Sequence, residues 1–276
     1  MPASGVTAAR ALDGRTQLSS LSLRIVSALV LAPPVLLAAW FGRPAFDLLV
    51  LLCVVILAWE WSHVTERRFG PSGLAACLFA LTAVMFFDHP LFAFAVAATG
   101  SVIAAFLRRG RGANWAAAGA LYISLPVAAL LWLRNVEGPE ALFWLFFVVW
   151  ATDIGAYAFG ILIGGPKLAP SISPKKTWAG LLGGMLSAGV TGWWAAGYFG
   201  AQEKALLAGA GGAFLAVLAQ AGDLFESFVK RHFGVKDASH LIPGHGGLMD
   251  RVDGLLAAAP AVALVLWAQE RGFIAW

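Results

Sequence analysis

The sequence predicts an all-α polytopic membrane protein with about nine transmembrane helices, on three observations. First, 60% of its 276 residues are hydrophobic and only 12% are charged, whereas soluble domains average about 45–50% apolar and about 25% charged. Second, the apolar residues fall in blocks long enough to cross a bilayer. Third, the basic residues cluster between alternate blocks. The mean hydropathy of +0.78 agrees with the first observation.

The blocks run over 21–41, 45–61, 72–87, 91–107, 115–133, 141–163, 178–199, 205–222 and 254–270. A helical span needs roughly 17–25 residues at 1.5 Å rise each. The third block is short, bounded by Gly73 and Asp88, and reads as a tilted or partly re-entrant helix. Leu and Ala dominate the blocks, and the alternating ten-residue pattern of barrel strands is absent, so helices satisfy the backbone. Small residues recur, with Gly180, Gly183, Gly184, Ser187 and Ala188 in one block and Gly209, Gly211, Gly212 and Ala213 in the next. They let helix backbones approach closely. The organisation is thus a cytoplasmic N-terminal segment, 1–20, and a membrane-embedded domain, 21–276, with cytoplasmic loops at 164–177 and 223–253.

Fifteen of the 19 Lys and Arg lie in the N-terminal segment (Arg10, Arg15, Arg24) and in the even loops. Those loops carry Arg67 and Arg68, then Arg108, Arg109 and Arg111, then Lys167, Lys175 and Lys176, then Lys230, Arg231, Lys236 and Arg251. Arg43, Arg134, Lys204 and Arg271 occupy the other side. The excess of positive charge on cytoplasmic loops then places the N-terminus inside and, with nine spans, the C-terminus outside. The net charge of +4 tracks one membrane face and no zinc-finger, RNA-binding or helix-turn-helix pattern is visible, so nucleic acid is not an expected partner. Cys53 and Cys77 sit in apolar blocks and read as packing residues.

The scarce charge is concentrated in QAGDLFESFVKRHFGVKDASHLIPGHGGLMDRVD, residues 220–253. Asp223, Glu226, Ser227, Lys230 and Arg231 fall at offsets that share one broad face of a helix. Asp250 and Asp253 bracket Arg251 and point the same way if that segment is helical. Carboxylates with cations beside them suit magnesium and a phosphate, the cations neutralising the remaining phosphate oxygens. An ordinary solvated loop with surface ion pairs is the plainer alternative. Gly244, Gly246 and Gly247 around His245 permit a tight turn whose amides can form an anion nest. His245 is read as a phosphate or base contact or as a turn residue; His232 and His240 carry weaker signals.

The segment GGPKLAPSISPKKTWAG holds Ser173, Lys175 and Lys176. Pro174 is expected to set a turn, and Lys176 with Thr177 to open the next helix, whose N-terminus favours anions. Asp153 lies inside a span, where a carboxylate is costly and seldom idle. Tyr157, one turn on, shares its face. Glu60, Glu66 and Asp88 read as boundary residues without further signal.

The run SFVKRHFGVKDASHLIPGHGGLMDRVD, Ser227 to Asp253, resembles the signature of the phosphatidate cytidylyltransferases, also called CDP-diacylglycerol synthases. QAGDLFES, SPKKTWAG and TDIGAYAFG resemble that family too, so the motifs cover about a fifth of the chain and the layout nearly all of it. One departure is Ala179, where many relatives have an acid (WAG for WEG). The resemblance implies a magnesium-dependent enzyme, with K+ as a candidate second cation, that converts CTP and phosphatidic acid to CDP-diacylglycerol and pyrophosphate. It further implies a homodimer in the cell's inner or plasma membrane with its active site facing the cytoplasm. On this resemblance Asp223, Lys230, Arg231, Asp250 and Asp253 are catalytic, and Asp223, Asp250 and Asp253 hold metal, with Asp237 a weaker candidate. Asp153, Ser173, Lys175, Lys176, Ser227, Lys236, His245 and Arg251 bind substrate. The rivals are a CTP-dependent lipid-alcohol kinase, separated by its products, and a polytopic transporter with Asp153 as a transport residue. Against the transporter, no internal repeat is visible and the polar residues gather in one loop.

Overall fold

Runs of Leu, Ala, Val and Phe set the length of nearly every element. A computed structural model describes residues 26, 27, 29–86, 90–242 and 246–271. The helices are α1 (Leu29–Phe41), α2 (Ala45–Glu66), α3 (Pro71–Met85), α4 (Pro90–Arg108), α5 (Ala113–Trp132), α6 (Pro139–Leu162), α7 (Trp178–Tyr198), α8 (Ala205–His232) and α9 (Met249–Glu270). A π-helical turn, Leu133–Glu137, extends α5. The expected N-terminal segment, 1–20, lies outside the described residues.

The expectation of nine transmembrane helices is overturned. Among the described residues, five helical stretches are long and apolar enough to cross a membrane: Ala45–Glu66, Ala113–Glu137, Pro139–Leu162, Gln202–His232 and Met249–Glu270. Leu29–Phe41, Pro71–Met85 and Phe92–Arg108 are apolar but shorter. Helix α7 is 21 residues long, yet Gly180, Gly183, Gly184, Gly189, Gly192 and Gly197 dilute its hydropathy. Hydrophobic blocks in a sequence include such packing helices, which bury against neighbours rather than matching a bilayer by themselves. The placement of the C-terminus outside depended on the count of nine and goes with it.

Two packed groups share α9. In the first, α2, α3 and α5 enclose Phe46, Val54, Trp61, Phe79, Ile123 and Leu131, and α4 lies against α3 and α5. In the second, α6, α7 and α8 pack through small residues. A Cβ on Gly212 of α8 would lie 2.7 Å from the carbonyl oxygen of Ala188 on α7, so the two backbones all but touch there. Helix α9 packs against α8, α5 and α6 and reaches α2, which places its first turn where both groups meet.

Two local expectations change. Helix α8 does not end with its apolar block but runs on through DLFESFVKRH, so the polar loop is shorter than 223–253. Before α7, a small antiparallel hairpin forms from β1 (Lys167–Ala169) and β2 (Ser173–Thr177). Pro174 and Lys176 are therefore in a strand; Thr177 is the N-cap of α7, its hydroxyl accepting from the Gly180 N–H at 3.0 Å.

Candidate active site at the α8–α9 crossing

Helices α8 and α9 approach closely at a pair of glycines. A Cβ on Gly222 would sit 2.6 Å from Ala257 Cβ and 2.7 Å from the carbonyl oxygen of Asp253. Gly254 faces Ala219 across the same contact. Asp223 follows the first glycine and Asp253 precedes the second, so the crossing itself brings the two carboxylates together. Glu226, one turn along α8, joins them, and one oxygen from each of the three lies within 4.8 Å of the others. Glu226 Oε1 is buried and has no hydrogen-bond partner among the described residues. An unmet acceptor beside two carboxylates is an all-oxygen donor set, the kind a hard divalent cation takes.

Two ammonium groups complete the cluster. Lys176 reaches from β2 to Asp223 at 2.6 Å, with the Gln220 carbonyl at 3.5 Å. Lys230 lies between Glu226 at 2.9 Å and Asp250 at 2.5 Å. Ser227 Oγ donates to Asp223 at 3.3 Å. The second oxygen of Asp250 accepts the N–H groups of Gly247 at 2.8 Å and Ala238 at 3.1 Å. Asp250 thus ties Lys230 to the loop and stands outside the three-carboxylate group. Asp223, Glu226, Asp250 and Asp253 outnumber the ammonium groups of Lys176 and Lys230 by two.

The other sequence candidates fall into two sets. Asp153 on α6 is within electrostatic reach of Asp223, Lys176 and Arg251, and so belongs to the rim of the site. Tyr157 points to the exterior, 73% exposed, without a hydrogen bond to Asp153 among the described residues. Arg231, Lys236 and Lys175 are exposed and make none of the cluster's ion pairs, and Ser173 is half-buried on the hairpin. Alternation along β2 turns Lys175 away from the face that carries Lys176. Arg251 and Asp237 are exposed. His245 lies outside the described residues, while its neighbour Gly246 has φ +84°, the left-handed turn expected of glycine. His232 packs against Trp115, and His240 is exposed.

Three residues at or beside the site were given no site role from the sequence. Glu226 was legible through its i,i+4 spacing to Lys230. Tyr122 on α5 has a buried hydroxyl without a hydrogen-bond partner among the described residues, and its ring packs against Trp61 and, on α8, Phe225. Glu60 on α2 is wholly buried and accepts hydrogen bonds from the segment that leads into α9.

A model of the cytidylyltransferase family matches residues 22–268, which include every element of this site. The chain belongs to that family. It is 38% identical over 262 residues to a phosphatidate cytidylyltransferase of Brucella melitensis, covering 90% of this chain and 93% of that protein. It is 38% identical over 269 residues to the one of Pseudomonas aeruginosa, covering 91% and 99%. The phosphatidate cytidylyltransferase of Rickettsia bellii is 31% identical over 258 residues, covering 90% and 92%. Membership supports nucleotidyl transfer of the cytidylyltransferase type, and the five membrane-length helices make this family member polytopic.

Proposed function

We propose that the chain transfers a cytidylyl group from CTP to phosphatidic acid, giving CDP-diacylglycerol and pyrophosphate. The observation that carries the reading is the three-carboxylate group of Asp223, Glu226 and Asp253, set beside Lys176 and Lys230. In the reaction an oxygen of the lipid phosphate attacks the α-phosphorus of CTP, the bond from that phosphorus to the β-phosphate oxygen breaks, and pyrophosphate leaves. The lipid phosphate is already an anion at neutral pH, so the nucleophile needs no strong base. The barrier lies in bringing two polyanions together.

Asp223, Glu226 and Asp253 would hold magnesium, whose chemistry is to neutralise and bridge phosphate oxygens. Lys176 is placed to turn from Asp223 to a nucleotide phosphate, since its partner is a third exposed and the bond between them is not sealed from water. Lys230 is held more tightly, by two carboxylates, and keeps Asp250 and Glu226 in position. Arg231, Lys175, Lys236, Ser173 and His245 are assigned to phosphate or base contacts on the motif resemblance. The site is proposed to face the cytoplasm. Arg67 at the end of α2 bonds the Phe233 carbonyl at 3.2 Å, and Arg108 lies near Glu66, so the arginine-rich loop ends gather at the site's end of the bundle. Arg43 and Arg134 meet Asp47 and the end of α1 at the other. That segregation matches positive-inside orientation in an inner membrane.

Incubation of the purified protein with CTP, magnesium and phosphatidic acid should give equal amounts of cytidylated lipid and pyrophosphate. CDP with a newly phosphorylated lipid would instead make the chain a kinase and refute the reading.

A further inference from the structure

We infer that Glu60, on α2, is a positioning residue for the reacting centre: it clamps both ends of segment 239–249 and thereby fixes Asp250 and Lys230. This rests on the cytidylyl-transfer reading for its activity readout but not for its geometry. Glu60 is 0% exposed. Its Oε1 accepts from Ser239 Oγ at 2.6 Å and from the Leu248 N–H at 2.9 Å, and its Oε2 from the Met249 N–H at 2.7 Å. Ser239 begins the segment; Leu248 and Met249 end it at the N-terminus of α9. A helix N-terminus has free N–H groups and a positive dipole end, which make it a partner for a buried carboxylate.

The amides run in order toward the site. Met249 and Leu248 point to Glu60, and the next, Gly247, points to Asp250 at 2.8 Å. Asp250 then holds Lys230 at 2.5 Å. The approach leaves no room for a side chain on Gly247, because a Cβ there would lie 2.5 Å from Glu60 Oε1 and 3.0 Å from Ser239 Oγ. Between Ser239 and Leu248, Ile242 and Gly246 exchange backbone hydrogen bonds of 2.8 and 3.2 Å. Glu60 is therefore bonded on both sides of the Ile242–Gly246 bridge, though it belongs to a helix nearly two hundred residues earlier in the chain.

The test compares Glu60→Gln, Glu60→Asp and Ser239→Ala with the wild type, purified in detergent, by amide hydrogen exchange and by steady-state kinetics with CTP, magnesium and phosphatidic acid. Gln presents an amide NH₂ where one backbone N–H needs an acceptor. Exchange in the peptide 239–249 should rise at least about ten-fold in Glu60→Gln, the effect of losing a charge-assisted hydrogen bond, with α5 and α6 unchanged. The KM for CTP and the magnesium concentration for half-activation should both rise several-fold, with Glu60→Asp and Ser239→Ala intermediate. A merely structural role lowers the active fraction and leaves both constants as they were, which overturns the proposal, as does unchanged exchange in 239–249. If Glu60→Gln does not fold, Ser239→Ala decides by the same two readouts, since it removes one bond without burying a new donor. A wild type without cytidylyl transfer refutes the functional reading alone, because the exchange arm still judges the clamp.

Discussion

Replacing Lys230 by Met keeps the length of the side chain and removes the charge that two buried carboxylates share. The lysine side chain is 11% exposed, Glu226 1% and Asp250 7%, so solvent cannot take over its role. Losing one member of such a buried pair costs about 3–5 kcal/mol, chiefly because the other charge is left uncompensated. The two partners are not equally affected. Asp250 keeps the N–H groups of Gly247 and Ala238, whereas among the described residues Glu226 bonds to Lys230 alone and has one oxygen unmet. The cost therefore falls mainly on Glu226, and Lys230→Met with Glu226→Gln should recover at least about half of it, a coupling of order 1–3 kcal/mol for groups in contact. Lys230→Met with Asp250→Asn should recover less. Reversible unfolding in mixed micelles measures all four proteins, and the single variant should melt on the order of 10 °C lower. A Lys230→Met protein within about 0.5 kcal/mol of wild type, or equal rescue by the two second changes, would refute this account of the site's electrostatics.

Three further outcomes are expected. Magnesium should raise the melting temperature of the wild type without substrate, by up to about 2.7 kcal/mol of stabilisation at a hundred times its dissociation constant; Asp253→Asn should lose most of that shift, and an undiminished shift would take Asp253 out of the metal site. Asp250→Asn should lower turnover by roughly two orders of magnitude, as loss of a key electrostatic contact does, with insertion intact; near-normal turnover at saturating magnesium would remove Asp250 from the machinery. Lys176→Gln should raise the KM for CTP more than that for phosphatidic acid, with partial rescue by Lys176→Arg because charge returns with different geometry; a larger rise for the lipid would move Lys176 to the lipid phosphate.

What the sequence disclosed follows from the range of each signal. The grouping of Asp223, Asp250 and Asp253 came from the family resemblance, and with Lys230 they stand at one crossing. Helical character was legible because it rests on local spacing. The number of spans was not, because an apolar block looks alike whether it faces lipid or a neighbouring helix. In α7 the glycines that lower hydropathy are the ones that let α6 approach: a Cβ on Gly180 would lie 2.8 Å from the Ala156 carbonyl oxygen. The extent of α8 was hidden because polar composition suggested a loop where i,i+4 pairs such as Glu226–Lys230 sustain a helix. Glu60 was unreadable for a different reason: its partners lie in Ser239, Leu248 and Met249, and a lone acid between Trp59 and Trp61 announces none of them.

The placement of charge also bears on why the site sits where α8 and α9 nearly touch. Four carboxylates and two ammonium groups concentrated at one crossing repel as well as attract, and an uncompensated buried charge costs several kcal/mol. A flexible loop would relieve that repulsion by moving its acids into water. The Gly222 and Gly254 contact removes that freedom, since Asp223 and Asp253 are carried on backbones locked 2.7 Å from a would-be Cβ. The crossing therefore holds four carboxyl groups against two ammonium groups at a fixed place. In the proposed reaction that excess of carboxyl groups would favour a divalent cation before any substrate arrives. Polyanionic substrates are then attracted to a centre whose reorganisation was completed in folding, which is the condition under which fixed charges lower a barrier most.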